Sequence, residues 1–394
     1  MVSAGAPAQG TSFGGAGLVH VQGLRSVADA AFYRHVLPSS RVNTGWSGSV
    51  SGCRPGAMSL GARRATLDLV NTYRRIAGLR AVSFGGALNG SAQRAALMME
   101  AAGALSHTPR RSWPCWTRGG ATAAGRSNLA LMTNPKWSVP TYLTDPGAGN
   151  RAVGHRRWIL DPRQTTMGVG QTRRANALYV LDTGSWSWQA GAAPLQAWPT
   201  AGYFPVALEP GGRWSLSSAR PAYDLSRTRV TVTGPAGTRL DLTTYRERGV
   251  LSWDLGGRIS RRAAREATYT VSVTGIRRNG VVLGPLTYRV TLLPLHPLRT
   301  TATPTVGGEP AVRAAAGAVL RAGHGTWTPG TEVGRYAYQW LRGGVPVLGA
   351  TAASYAVRAE DAGRLMSVRV QALPRTASYR SGSASSTDAA SQVR

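Results

Sequence analysis

Apolar positions follow two different periods along the chain. From Ala62, the run ARRATLDLVNTYRRIAGL places Leu67, Val70, Tyr73 and Ala77 at helical spacing, and Gly78 stands where a left-handed cap would end the helix. A second helix is expected over about 87–102, with Leu88, Ala92, Ala95 and Met99 on one face. It closes at Gly103, and the chain then enters the turn Ser106-His107-Thr108-Pro109. Further on, Gly154-His155-Arg156-Arg157-Trp158-Ile159-Leu160 is bounded by Pro162, and two short strand-like runs follow at 167–169 and 177–181. Helices first and short antiparallel strands later predict an α+β layered module.

After a Trp- and Pro-rich connector at 186–204 the period becomes that of strands. Runs at 229–233, 240–244, 250–254, 269–274 and 287–292 alternate or are β-branched, and Asn279-Gly280 is a hairpin turn signal. So many strands in about 90 residues predict a sandwich. A linker at 294–303, with Pro294, Pro297 and Pro304 close by, precedes a last set of strands at 336–341, 354–357 and 366–372. The expected division is a loosely ordered lead-in (1–45, weakly helical near 27–37), an α+β domain (46–200), a β-sandwich companion (201–296), a second β-sandwich (303–380) and a flexible tail (381–394).

Composition sharpens this picture in three ways. Gly (49) and Pro (23) outnumber the charged residues, which disfavours a helical bundle. The 46 basic against 17 acidic residues give +29, nearly all of it arginine, since Lys136 is the one lysine. Coding bias explains arginine over lysine but not the shortage of acids, so a surface facing an anionic polymer is expected. The arginines are scattered in ones and twos, without zinc-knuckle, RNP-like or basic-zipper patterns, and no specific nucleic-acid partner is implied. Finally, Cys53 and Cys115 are an even count. A disulfide closing about 60 residues would stabilise the fold by roughly 4 kcal/mol and require an oxidising compartment, the alternative being two unrelated buried thiols. Residues 1–30 hold no apolar stretch long enough for a signal peptide, and no segment is long enough to span a membrane. Either the true start lies upstream of Met1, or the leader is missing from this chain, or the protein stays inside; the first two are favoured.

Three segments together resemble a known family. Thr66 through Leu79 (TLDLVNTYRRIAGL) resembles the first helix of bacterial CAP domains (cysteine-rich secretory, antigen 5, pathogenesis-related 1). Leu105-Ser106-His107-Thr108-Pro109 resembles the family's first histidine segment. Gly154-His155-Arg156-Arg157-Trp158-Ile159-Leu160, followed by Met167-Gly168-Val169-Gly170, resembles its second. The resemblance implies a three-layer α-β-α sandwich with an open cleft that, in many members, holds two histidines and two acids able to bind a divalent metal. The histidines are His107 and His155. Where the family has Gly-Glu-Asn-Leu this chain has Gly125-Arg126-Ser127-Asn128-Leu129, so the first acid is replaced, and Asp145 is the nearest candidate for the second. The last 90 residues resemble bacterial Ig-like repeats. That likeness is carried by Gly325-Thr326-Trp327, Tyr338-Gln339-Trp340-Leu341-Arg342 and Asp361-Ala362-Gly363, with no cysteines flanking Trp340. The middle β region resembles a companion that often follows such CAP domains.

The expected ligand cleft therefore contains His107, His155, Ser127, Asn128 and Asp145, with His107 and His155 weak candidates for a divalent metal such as zinc. His20, His35, His296 and His324 read as ordinary loop or surface residues. A Ser127–His155–Asp145 triad is disfavoured because no nucleophile elbow surrounds Ser127. Trp137, Trp158, Trp186, Trp188 and Trp198 would either line a groove or seal domain junctions, the second being preferred. The favoured function is an exported, non-enzymatic protein that binds a lipid, small apolar or cell-wall ligand. Its alternatives are an envelope hydrolase and an adhesive surface protein with a vestigial cleft.

Overall fold

The computed structural model describes residues 17–39, 41–131, 138–256, 259, 265–376 and 378–387, so Lys136 and Trp137 lie outside the described residues. The chain divides into two compact units. The first comprises Met1–Ser260 and Arg265–Leu293, the second Arg261–Ala264 and Pro294–Arg394.

In the first unit the helix Leu60–Ile76 opens on Ser59, whose hydroxyl accepts from the Ala62 amide at 3.1 Å, and closes at Gly78 with φ +71°. Its buried face runs through Ala62, Thr66, Leu69, Val70, Tyr73 and Ile76. Leu67, expected on that face, is only half-buried, because the stripe is turned toward Leu69. The second helix, Gly86–Ala102, ends at left-handed Gly103 (φ +62°) and is buried nearly all round, from Asn89 to Met99.

That helix lies on a sheet of order Ser83–Phe84, Thr166–Gln171, Ala175–Tyr179, Ser127–Leu131. A Cβ on Gly168 or Gly170 would run into the backbone of Leu88 or of Ala92 and Gln93, so these glycines let helix and strand meet directly. The Ser83–Phe84 strand pairs only as far as Met167, leaving the amides beyond it without a strand neighbour on that side. Helix side chains replace it. Asn89 Oδ1 accepts from the Val169 amide (2.8 Å), and Gln93 both accepts from and donates to the Gln171 backbone (3.0 and 3.1 Å). Buried backbone groups need such partners. The Cys53–Cys115 disulfide, with Cα atoms 5.1 Å apart, ties the loop before the first helix to the segment after His107.

The β region that follows belongs to the same unit. Its antiparallel four-stranded sheet runs Leu242–Glu247, Val250–Leu255, Arg213–Ser217, Gln196–Trp198. Its mixed five-stranded sheet runs Val21–Gln22, Ala201–Pro205, Leu286–Leu293, Ala267–Thr274, Arg229–Thr233. Fully buried Trp214 crosses between them to meet Tyr269 edge-on at 5.5 Å. Within the lead-in expected to be loose, Val21–Gln22 is an edge strand parallel to Ala201–Pro205, and helical turns occupy 25–39. Asn279 and Gly280, both at positive φ, make their own small hairpin between Arg277–Arg278 and Val281–Val282.

The second unit is all-β. The long strands Val333–Arg342 and Leu365–Pro374 pair along most of their length around a core of Trp340, Tyr355, Met366, Val368 and Val370. Trp340 is fully buried, donates through Nε1 to the Ala352 carbonyl at 2.9 Å and stacks on Tyr355 at 5.6 Å. In the segment expected as a flexible tail, Gly382–Ser385 pairs with Leu365–Pro374. The architecture is thus α+β at the start and β-sheet thereafter.

Candidate functional site

His107 follows the second helix and its Nδ1 lies 2.9 Å from the Ala124 carbonyl. A carbonyl can only accept, so Nδ1 carries the proton and Nε2 is left with a lone pair. His155 sits at the second position of the short helix Gly154–Ile159, its ring stacked on Tyr142 with centroids 5.4 Å apart and planes at 22°. Its Nδ1 lies 2.7 Å from Oδ1 of Asp145, a fully buried carboxylate whose Oδ2 accepts from the Arg156 amide at 3.1 Å. The same logic places a proton on Nδ1 of His155, so that in the neutral ring Nε2 is the acceptor. Tyr142 is locked in turn, its hydroxyl lying 3.1 Å from the Asn128 carbonyl and 3.0 Å from Asn176 Oδ1. Burial pushes that phenol well above its ordinary pKa, so it stays a donor. Asn128 donates to the His155 carbonyl at 2.9 Å.

Two arginines bond Asp145, Arg156 through its backbone amide to Oδ2 and Arg213 through its guanidinium to the carbonyl. Arg156, fully buried, donates to the Leu143 carbonyl (2.7 Å), the Thr144 carbonyl (3.1 Å), the Arg213 carbonyl (3.0 Å) and Ser215 Oγ (2.8 Å). Burial lowers its guanidinium to about 10, against the opposing pull of the Asp145 and Glu209 carboxylates, so it remains charged at neutral pH. Arg213 comes from the four-stranded sheet. It grips Asp254 with two bonds (2.7 and 3.0 Å) and donates to the carbonyls of Asp145 (2.9 Å) and Gly147 (2.7 Å). Those carbonyls flank a turn with Asp145 at φ +51° and Gly147 at φ +92°. On the same sheet, Ser252 donates to the Arg151 carbonyl, and the Arg151 guanidinium lies 4.8 Å from the Tyr245 ring centroid. The β region therefore forms the back wall of the loop that carries Asp145 to His155.

His107 and His155 line one cavity of about 340 Å³, walled by Leu105, Leu129, Leu131 and Tyr142. Leu129 and Leu131 alternate along a strand and so share a face. The other three residues expected in the cleft do not line it. Ser127 is buried and donates to the Ala123 carbonyl at 2.7 Å, Asn128 serves the His155 backbone, and Asp145 lies behind His155. Among the described residues no group of three or more His, Cys, Asp or Glu could hold a metal. Two imidazole nitrogens fall short of the three or four ligands a zinc site uses, so the residues present do not fit a resident zinc. Of the tryptophans, Trp198 is core, packed on Tyr73 and Phe204, while Trp158 stacks on Trp186 at 6.2 Å. Sequence reasoning passed over Tyr142, Arg156 and Arg213. Helical spacing from the Ser138–Thr144 segment was the available signal for Tyr142; nothing local marks Arg213, which lies 68 residues from its partner Asp145.

Residues 67–182 match the sequence profile of the cysteine-rich secretory protein family, CAP, and the chain carries a CAP domain there. A search of curated proteins finds no match. Among solved structures, the Titin Ig tandem domains align at 14% identity over 44% of this chain and 84% of theirs, with a TM-score of 0.17. Protocadherin Gamma B2 extracellular cadherin domains 3–6 align at 9% identity over 44% of each chain, with a TM-score of 0.16.

Proposed function

We propose, with a CAP domain at residues 67–182 as the premise, that this chain is an exported binding protein whose CAP cavity holds a lipid, a small apolar molecule or a cell-wall fragment. The observation that carries the reading is the pairing of leucine walls with two histidine Nε2 acceptors and no cavity-lining carboxylate among the described residues. Apolar walls take a hydrocarbon body, and two fixed acceptors take a hydroxyl or similar donor at its head. Acid-base chemistry would need an accessible ionisable partner besides imidazole, whereas Asp145 is fully buried and already bonded. Export is supported by the Cys53–Cys115 disulfide, which persists in an oxidising compartment. No helix among the described residues is long and apolar enough to cross a membrane.

The test is native mass spectrometry of the protein purified from its own host, paired with titration by an environment-sensitive fluorescent fatty acid. The expected result is a co-purifying adduct and a saturable fluorescence change, both lost in Leu129→Arg. A bare protein that leaves the probe unchanged, or turnover of a peptidoglycan substrate abolished in His155→Ala, would sink the reading.

A further inference from the structure

A second concavity, of about 480 Å³, opens on the first unit and shares no lining residue with the cavity of His107 and His155. Trp188, Pro194, Pro221 and Tyr223 form its walls, and Arg220 and Arg278 contribute the cations. Each cation is placed against a ring. The Arg220 guanidinium lies 4.4 Å from the Trp188 centroid. Arg278, opposite Tyr223 in strand register, lies 5.9 Å from that ring. Arg163 continues the series, 3.9 Å from Trp186 and 5.5 Å from Trp188. Arg163 is neutralised by Asp161 at 2.6 Å, but no carboxylate lines the groove among the described residues, and neither Arg220 nor Arg278 has an acidic partner there.

We propose that this groove binds an anionic polysaccharide. Stacking holds the Arg220 fork in place before binding, so little side-chain entropy is lost when it meets a carboxylate or phosphate. The two unpaired cations along an open groove, Arg220 and Arg278, match a repeating anion, and the Pro194 and Pro221 walls offer apolar surface to the C–H faces of sugar rings. The chain's net charge of +29 draws such a polymer in. Single-stranded nucleic acid fits less well, because base stacking needs open ring faces and the Trp188 ring already has Arg163 and Arg220 over it.

Calorimetric titration of the full chain with short oligogalacturonate, with a phosphate-bearing polysaccharide, with the methyl-esterified uronate and with oligothymidylate of equal charge tests this. Binding of either anionic glycan is expected, weakening with salt, with no binding of the neutral ester. Arg278→Ala, at an exposed hairpin, should weaken it at least about tenfold, as should Arg220→Ala, since each removes a charge-assisted contact. Arg229→Ala, which removes the same charge from an exposed strand position outside the groove, should leave it within about twofold. The proposal is overturned if neither anionic glycan binds at low salt, if Arg229→Ala costs as much as Arg278→Ala, or if oligothymidylate binds more tightly than both glycans. Because Arg278 is exposed and its variant keeps the fold, loss of folding in Arg220→Ala alone leaves the test decided by Arg278.

Discussion

Replacing Arg213 by alanine tests whether the β region builds the histidine site. The substitution removes a partly exposed two-bond ion pair with Asp254, worth roughly 1 kcal/mol. It also strips charge-assisted donors from two carbonyls. The Asp145 carbonyl is on a buried residue and loses about 1.5 kcal/mol, while that of exposed Gly147 regains water and loses about 0.5 kcal/mol. The expected cost is about 3 kcal/mol, lowering the melting temperature of this unit by about 5 °C. Exposed arginine-to-alanine changes elsewhere typically stay within about 0.5 kcal/mol, so Arg229→Ala is the control. Urea unfolding gives the energy, and NMR of the His155 Nδ1–H, held by Asp145 at 2.7 Å, gives the positioning. That resonance should be sharp in the native protein and broadened in Arg213→Ala, because the Asp145 turn loses its clamp. Arg213→Lys keeps the charge but not the fork and should recover only part of both effects. A loss below about 0.5 kcal/mol, with the imidazole resonance unchanged, would refute the claim that the sheet positions His155.

Other consequences follow from separate parts of the fold. Cys53→Ser with Cys115→Ser, or reduction of the native protein, should cost about 4 kcal/mol, because the bridge closes a separation of 62 residues; equal unfolding midpoints with and without reductant would contradict this. Gly170→Ala should cost more than about 3 kcal/mol or prevent folding, since its Cβ would meet the Gln93 backbone rather than a movable side chain. A soluble variant of native stability would show that helix and strand part more easily than the packing implies. Burial pulls the His20 imidazole below its ordinary pKa, and its Nε2 has no partner among the described residues. The folded state therefore binds fewer protons than the unfolded one. Its contribution is complete above about pH 6.5 and declines as pH falls below that toward the folded value. His20→Phe should flatten that part of the stability profile, and an unchanged slope in denaturant melts at pH 5 to 7 would count against it.

The first helix, the second helix and most β runs were legible because each is specified by local period and caps, whereas the two histidine segments were legible through the resemblance to CAP domains. Gly78 and Gly103 stop their helices at positive φ, and Trp340 occupies the core as its surrounding pattern implies. The site was legible only as far as His107 and His155. Ser127 or Arg126 stands at the family's acid position, and the strand face and the Ala123 carbonyl turn the Ser127 hydroxyl into the core. Leu67 shows the same limit on a smaller scale: several apolar stripes fit the helical period, and packing chose the one through Leu69.

By itself the sequence determined the kind and order of the first two helices and most strands, the pair of histidines and the absence of a carboxylate where the family places one. Tertiary structure decided what those residues face. It put Arg213 on Asp145 across 68 residues, made the β region one unit with the CAP domain, and built Val21–Gln22 into a sheet 180 residues away. The reason is physical. Helical and strand periods and caps act over a few residues, whereas a buried polar group such as the Asp145 carbonyl finds its donor wherever the folded chain brings one within hydrogen-bonding distance, and no local pattern records that encounter.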